Sequence, residues 1–136
     1  MAAVLVRLNS EAIEATWPRI ETMIDAACER SSGRYSAPVV KAYAQRGAWQ
    51  IWIALDEQGV CAVAASSINT YDTGLKSIAI RFGTGRKRRQ WQHFMEDVVA
   101  WGKSQGCTMA EGNFRLGWRR ALPGWTHTHD SLERAL

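Results

Sequence analysis

At 136 residues the chain is long enough for one domain that buries roughly two thirds of the surface exposed when unfolded. Its 46% hydrophobic and 22% charged residues exclude a disordered chain, and no apolar run approaches the roughly 20 residues of a membrane-spanning helix. The net charge of +4 conceals a skew: residues 81–120 hold nine cations against three anions, a net of +6, so the remainder sums to −2 and the positive field is local.

The first residues, Met1-Ala2-Ala3-Val4-Leu5-Val6-Arg7, lack the basic region, apolar stretch and cleavage site of a secretion signal. The expectation is one domain over 1–136 in the cytoplasm. Cys28, Cys61 and Cys107 are odd in number, far apart and set among small or apolar neighbours, which reads as reduced core thiols, and no pair has metal-ligand spacing.

In chain order, Ser10 can cap a first helical turn that Trp17-Pro18 then interrupts, so the main helix is expected from 18 to about 30. Ile13, Trp17, Ile20, Ile24 and Ala27/Cys28 recur at spacings of three and four, the mark of one inward face. A shorter helix over 38–46 ends at Gly47. Alternation then replaces helical spacing: 48–55 reads as a strand, 56–59 as a tight turn, and 60–68 as the second arm of a hairpin. A third strand over 75–82 runs into a glycine and arginine loop. Helical spacing returns at Trp91, Phe94/Met95, Val98 and Trp101/Gly102, predicting a helix over 88–105 with Gly106 as its stop, followed by a short strand over 107–111. A helix between two strands implies a right-handed parallel crossover. A last short helix over 116–122 and one or two closing strands from 125 complete the expected order.

The stretch Arg81-Phe82-Gly83-Thr84-Gly85-Arg86-Lys87-Arg88-Arg89-Gln90-Trp91 concentrates the chemistry. Glycines let backbone N–H groups approach a ligand, a helix N-terminus adds partial positive charge, and four cations supply full charges, so phosphate is the expected guest. The glycines can equally serve only to turn the chain, and residues 86–89 can be a solvated charge run. Against the second reading, cations at a helix N-terminus oppose the macrodipole by up to about 1 kcal/mol each, a penalty that a bound anion offsets.

This order of helices, antiparallel strands, a strand–loop–helix–strand crossover, a short helix and closing strands resembles the GNAT (Gcn5-related N-acetyltransferase) superfamily, and within it the small GNAT-like proteins of phages and prophages. The likeness is strongest at Trp49-Gln50-Ile51-Trp52, around Gly83 and Gly85, and from Trp101 through Gly106 to Gly117-Trp118-Arg119-Arg120-Ala121-Leu122. It implies an α/β (α+β) fold with a mixed central sheet flanked by helices. It further implies an acyltransferase that moves acetyl directly from acetyl-CoA to an amine, the pyrophosphate resting on a Gln/Arg-x-x-Gly-x-Gly/Ala loop. Gly83 and Gly85 match the Gly-x-Gly part, while Ile80 stands where Gln or Arg is expected and Arg81 is one place out of register. By this resemblance, backbone groups of Ile80 and Phe82 pair with the pantetheine arm, and Gly83, Gly85, Arg86, Lys87, Arg88 and Arg89 hold the phosphates.

For the base that frees the acceptor amine, the resemblance points to a Glu on the fourth or fifth strand, and Glu111 occupies that place; an ion pair with Arg115 or Arg119 is its plainer role. The acid for the departing thiolate is often a Tyr in the following helix, but no tyrosine follows Tyr71, and Trp118 cannot take its part. His127 and His129 alternate as on one side of a strand without a third ligand nearby, His93 is expected on the outer face of the long helix, and Cys107 lacks a histidine partner, so no metal site or thiol nucleophile is expected. The competing reading is a non-catalytic GNAT-fold module, in a phage-host setting, whose basic loop docks nucleic acid or a host protein. The acceptor and the oligomeric state are not encoded in any motif.

Overall fold

Asn9 begins the first helix: its side chain accepts a hydrogen bond from the Ala12 N–H at 2.8 Å, making it the cap in place of Ser10, which is the first helical residue. In the computed structural model, which describes residues 3–114, 118, 122–128 and 132–136, helix α1 then runs unbroken over Ser10–Glu29 with Pro18 inside it. The expected break at Trp17-Pro18 does not occur. Pro18 lies on the exposed side, one turn above exposed Glu14, so the carbonyl that loses its intrahelical partner faces water. The opposite face buries Ile13, Trp17, Ile20, Ile24, Ala27 and Cys28. Each large apolar side chain there contributes about 1.5–3 kcal/mol, which together outweighs the roughly 3 kcal/mol cost of an interior proline.

Helix α2 is Ala37–Gln45, with Pro38 in its first turn and Val40 and Ala44 facing the core. The sheet has five strands in the order β1 (Val4–Arg7), β2 (Gln50–Asp56), β3 (Gly59–Thr70), β4 (Lys76–Gly85) and β5 (Met109–Gly112). The first four are antiparallel neighbours and β5 is parallel to β4, the crossover between them carrying helix α3 (Phe94–Ser104). Strand β1 was not anticipated. Four residues are too few for a periodic signal, and Val4 and Val6 stay exposed on this edge strand.

The sheet is covered on both faces. Helices α1 and α2 pack on the face that presents Ile51, Ile53, Val63, Ala65 and Phe82. Helix α3 covers the other, which presents Trp52, Ala54, Ala62, Ile78 and Ile80. Gly102 lets α3 approach β4, since a Cβ there would stand 2.7 Å from Ile78 Cβ. Two-sided burial explains why β2 reads as a continuous apolar run instead of a clean alternation.

Past β5 the expected helix over 116–122 falls mostly outside the described residues; Trp118 and Leu122 are both buried in the core under α3. No strand forms over 125–128 or 132–136, contrary to the expected closing strands. Thr126, His127 and Thr128 are all exposed, so the alternation has no apolar face to bury, and Trp125 instead meets Phe114 edge-on at 5.5 Å. His129 lies outside the described residues.

Candidate functional site

The site is built on a defect in β4. The β3–β4 register passes from Ser66↔Ile80 to Ala65↔Phe82, so Arg81 is an extra residue, a β-bulge. The bulge places Arg81 and Phe82 toward the same face, that of α1 and α2, while Ile80 remains in the core under α3. The parallel ladder ends at Ile80↔Gly112, yet β4 continues for five more residues to Gly85. Two parallel strands therefore part at their carboxyl ends, leaving one edge of β4 without a strand partner among the described residues.

Gly83 and Gly85 are not in a loop, as expected, but in β4 itself, opposite Ala64 and Ala62. Their smallness serves close packing. A Cβ on Gly85 would stand 2.3 Å from the Cys61 carbonyl oxygen, and one on Gly83 would touch the Trp91 ring at 3.9 Å. The helix also starts later than expected, at Phe94, with His93 exposed at its cap position and Glu96 and Asp97 in its first turn. Those carboxylates suit the positive end of the helix dipole, which the run of cations over 86–89 would have opposed.

The cations stand instead on a connection of their own. Arg86 is structural: its N–H donates to the Cys61 carbonyl at 3.0 Å, and its guanidinium to the Val60 carbonyl at 2.9 Å and to Asp56 at 3.2 Å. The Trp91 indole N–H donates to the Arg86 carbonyl at 2.8 Å, so an indole pins the bend from the α3 side. Lys87 is left-handed (φ 55°, ψ 55°) and opens a 3₁₀ turn over Arg88–Gln90. The N–H groups of Lys87, Arg88 and Arg89 have no acceptor among the described residues, and all three side chains are exposed. Successive free N–H groups at a left-handed to right-handed step form an anion-binding concavity. The Arg88 guanidinium lies 5.0 Å from the Trp118 ring centroid.

Glu111 lies on β5 opposite Ala79, just before the strands part. Its Oε1 accepts a hydrogen bond from the Tyr71 hydroxyl and another, at 3.4 Å, from the Asn69 side-chain amide. Asn69 Oδ1 accepts in turn from Arg81 at 3.2 Å, and Arg81 also donates to Ser67 Oγ at 2.9 Å and to the Tyr35 hydroxyl at 3.4 Å while lying over Trp49. Arg115 and Arg119, the suggested partners of Glu111, lie outside the described residues. Sequence reasoning missed Tyr71 and Asn69 because it looked for a tyrosine only after the fifth strand. Strand pairing was the available signal: Asn69 is opposite Ser77, which is opposite Met109, two residues from Glu111.

An apolar pocket of about 30 Å³ lies between the sheet and α3, lined by Trp52, Ala62, Ile80, Gly83, Trp91 and Met95 among others, so it reaches the α3 side of the candidate site. Among the described residues no three His, Cys, Asp or Glu side chains group as metal ligands. The three cysteines are free and buried. Burial pushes the Cys28 thiol upward, with Asp25 adding to it, and pushes Cys61 upward with Asp56 adding and Arg86 opposing. Thiol-specific alkylation at neutral pH should therefore leave all three unlabelled in the native protein and label all three in denaturant. A single rapidly modified cysteine, located by peptide mass, would contradict this. Because the folded Cys28 and Cys61 thiols keep protons that the unfolded ones release, their contribution to stability is intact at neutral pH and falls as pH rises past the usual thiol range.

No protein-family model and no curated protein matches the chain. Solved structures do. An aminoglycoside acetyltransferase, meta-AAC0020 from an uncultured soil metagenomic sample, superposes with a TM-score of 0.72 at 9% identity, covering 98% of this chain and 96% of that one. A GNAT family acetyltransferase from Staphylococcus aureus gives 0.68 at 10% identity over the whole of both chains. The aminoglycoside N-acetyltransferase AAC(6')-Iy, solved with CoA, gives 0.69 at 13% identity over 98% of this chain and 94% of that one. With its parallel strands parting beside a bulge and its crossover helix on the far face, this chain has the fold of the GNAT acetyltransferases.

Proposed function

We propose that the protein is an N-acetyltransferase that passes acetyl from acetyl-CoA directly to an amine. The observation that carries this reading is the parting of β4 and β5, where β4 outruns the ladder and leaves a strand edge that an extended amide-bearing arm can pair with. Ile80 is the last β4 residue paired with β5, opposite Gly112, and Phe82 lies beyond that ladder, so the arm would pair from Phe82 onward. The free N–H groups and cationic side chains of Lys87, Arg88 and Arg89 suit a pyrophosphate, with Gly83 and Gly85 keeping the strand close to β3 and Arg86 bracing the turn. When bound, acetyl-CoA supplies an activated thioester carbonyl; the chain's own part is to orient it and to remove a proton from the amine. Glu111 is the proposed base, held by Tyr71 and Asn69 on the α1 and α2 side of the sheet.

Calorimetry with acetyl-CoA and with CoA tests the reading, and no binding at millimolar ligand would exclude it. Glu111→Gln should lower kcat by about 10²–10⁴-fold and remove the acidic limb of the pH–rate profile while acetyl-CoA still binds. An unaltered profile would remove Glu111 from the role. A second reading, that the loop docks nucleic acid without catalysis, draws on the exposure of Lys87, Arg88 and Arg89. It requires binding that weakens steeply with salt and is indifferent to acetyl-CoA.

A further inference from the structure

Arg81 is a cation at the bulge in β4, one residue past the end of the ladder with β5, and its partners among the described residues are all neutral. Its side chain is half-buried, and no carboxylate among the described residues pairs with it. Three contacts fix its direction: Nε on Ser67 Oγ at 2.9 Å, Nη2 on Asn69 Oδ1 at 3.2 Å and Nη1 on the Tyr35 hydroxyl at 3.4 Å, with the Trp49 ring centroid 5.2 Å from the guanidinium carbon. A guanidinium has five N–H bonds, so two are unspent. A partly desolvated cation held rigidly against neutral groups is a poor arrangement by itself and a good one for receiving an anion, because its orientation is fixed before the ligand arrives. Asn69 links it to the proposed base: the same amide accepts from Arg81 and donates to Glu111 at 3.4 Å.

A fixed cation and a carboxylate, one amide apart on one face of the sheet, complement a molecule that carries an amine and an anionic group close together. Building on the acetyl-transfer reading, we infer that the acceptor is a small amino-carboxylate, its carboxylate on Arg81 and its amine directed to Glu111. The selection of Arg over Lys has a reason in this geometry, since a planar fork can meet a carboxylate with its two spare N–H bonds while the other three hold position.

The test compares kcat/KM for glycine, β-alanine and 4-aminobutyrate with that for methylamine, ethylamine and propylamine, in the native protein and in Arg81→Gln. A charge-assisted hydrogen-bonded pair predicts that at least one amino-carboxylate exceeds its matched amine by about tenfold or more, mainly through KM. That ratio should fall close to one in Arg81→Gln and be partly kept in Arg81→Lys. Equal or better use of the plain amines by the native protein overturns the inference, as does a ratio that survives Arg81→Gln. A measurement free of turnover follows the Arg81 Nε–H resonance by NMR during titration with β-alanine and with ethylamine. A saturable shift with β-alanine alone supports the site, and no shift overturns it even if the variants do not fold. Acetyl-CoA calorimetry on the same samples separates the two ideas. Cofactor binding without the preference removes only the acceptor assignment, whereas loss of cofactor binding removes the acetyl-transfer reading and leaves the carboxylate site to the NMR result.

Discussion

Gly85→Ala is expected to destabilise the protein by about 3 kcal/mol or more, although it adds a single methyl group. The added carbon would sit 2.3 Å from the Cys61 carbonyl oxygen and 2.6 Å from Ala62 Cα, both backbone atoms of the neighbouring strand that have no rotamer with which to retreat. Gly85 also has φ +156°, a conformation that L side chains rarely adopt. The contact lies where Cys61 is itself the extra residue of a second bulge, between Ala54↔Ala62 and Leu55↔Val60, and where the Cys61 carbonyl accepts the Arg86 N–H. Forcing β3 and β4 apart there would break that bond and shift the cationic turn. Urea denaturation followed by far-UV circular dichroism should show the loss of stability, and acetyl-CoA affinity should fall with it. A larger residue at Gly85 would therefore disturb the fold together with any ligand site beside it. A variant as stable as the native protein would mean that the close approach of β3 and β4 has been misplaced.

Trp52→Ala should cost about 3–5 kcal/mol from the lost side chain alone. Trp52 is 5% exposed, lies edge-on to Trp101 with centroids 5.5 Å apart, and donates from its indole N–H to Ser66 Oγ at 2.9 Å. The Ser66 hydroxyl donates its own hydrogen bond to Gln50 Oε1 at 2.9 Å, so truncation leaves a hydroxyl oxygen, 1% exposed as a residue, without its donor. The space vacated adjoins the apolar cavity already lined by Trp52, so neighbouring side chains have little to collapse upon. Against a typical total of about 5–15 kcal/mol the variant sits near unfolding at room temperature. Trp52→Phe keeps most of the volume and loses mainly the N–H, for about 1–3 kcal/mol. Urea midpoints at constant m-value check the pair, and equal losses for the two variants would show that the hydrogen bond, and not the ring, dominates.

Much of the frame was legible because burial leaves a periodic trace. The apolar positions of α1 and α3 predicted the faces they bury, the hairpin of β2 and β3 followed from alternation and a polar turn, and the parallel crossover followed from a helix between strands. Local rules failed where a tertiary contact outweighed them. Pro18 reads as a break, yet the continuous stripe from Ile13 to Cys28 carries the helix through it. The cations of 86–89 read as a helix start, yet the indole of Trp91 folds back onto the Arg86 carbonyl and delays the helix to Phe94, where Glu96 and Asp97 complement its dipole.

Composition and periodicity determined most of the helices and strands, their order along the chain and a concentrated positive segment, since all of these depend on side-chain type and spacing. Only the folded arrangement decided what the segment and its surroundings can do. The bulge at Arg81, the parting of β4 from β5, and the meeting of Tyr71, Asn69 and Arg81 with Glu111 all depend on strand register. Register is a relation between residues tens of positions apart, set by how whole strands pack against two helical layers, and no local window of the chain contains it.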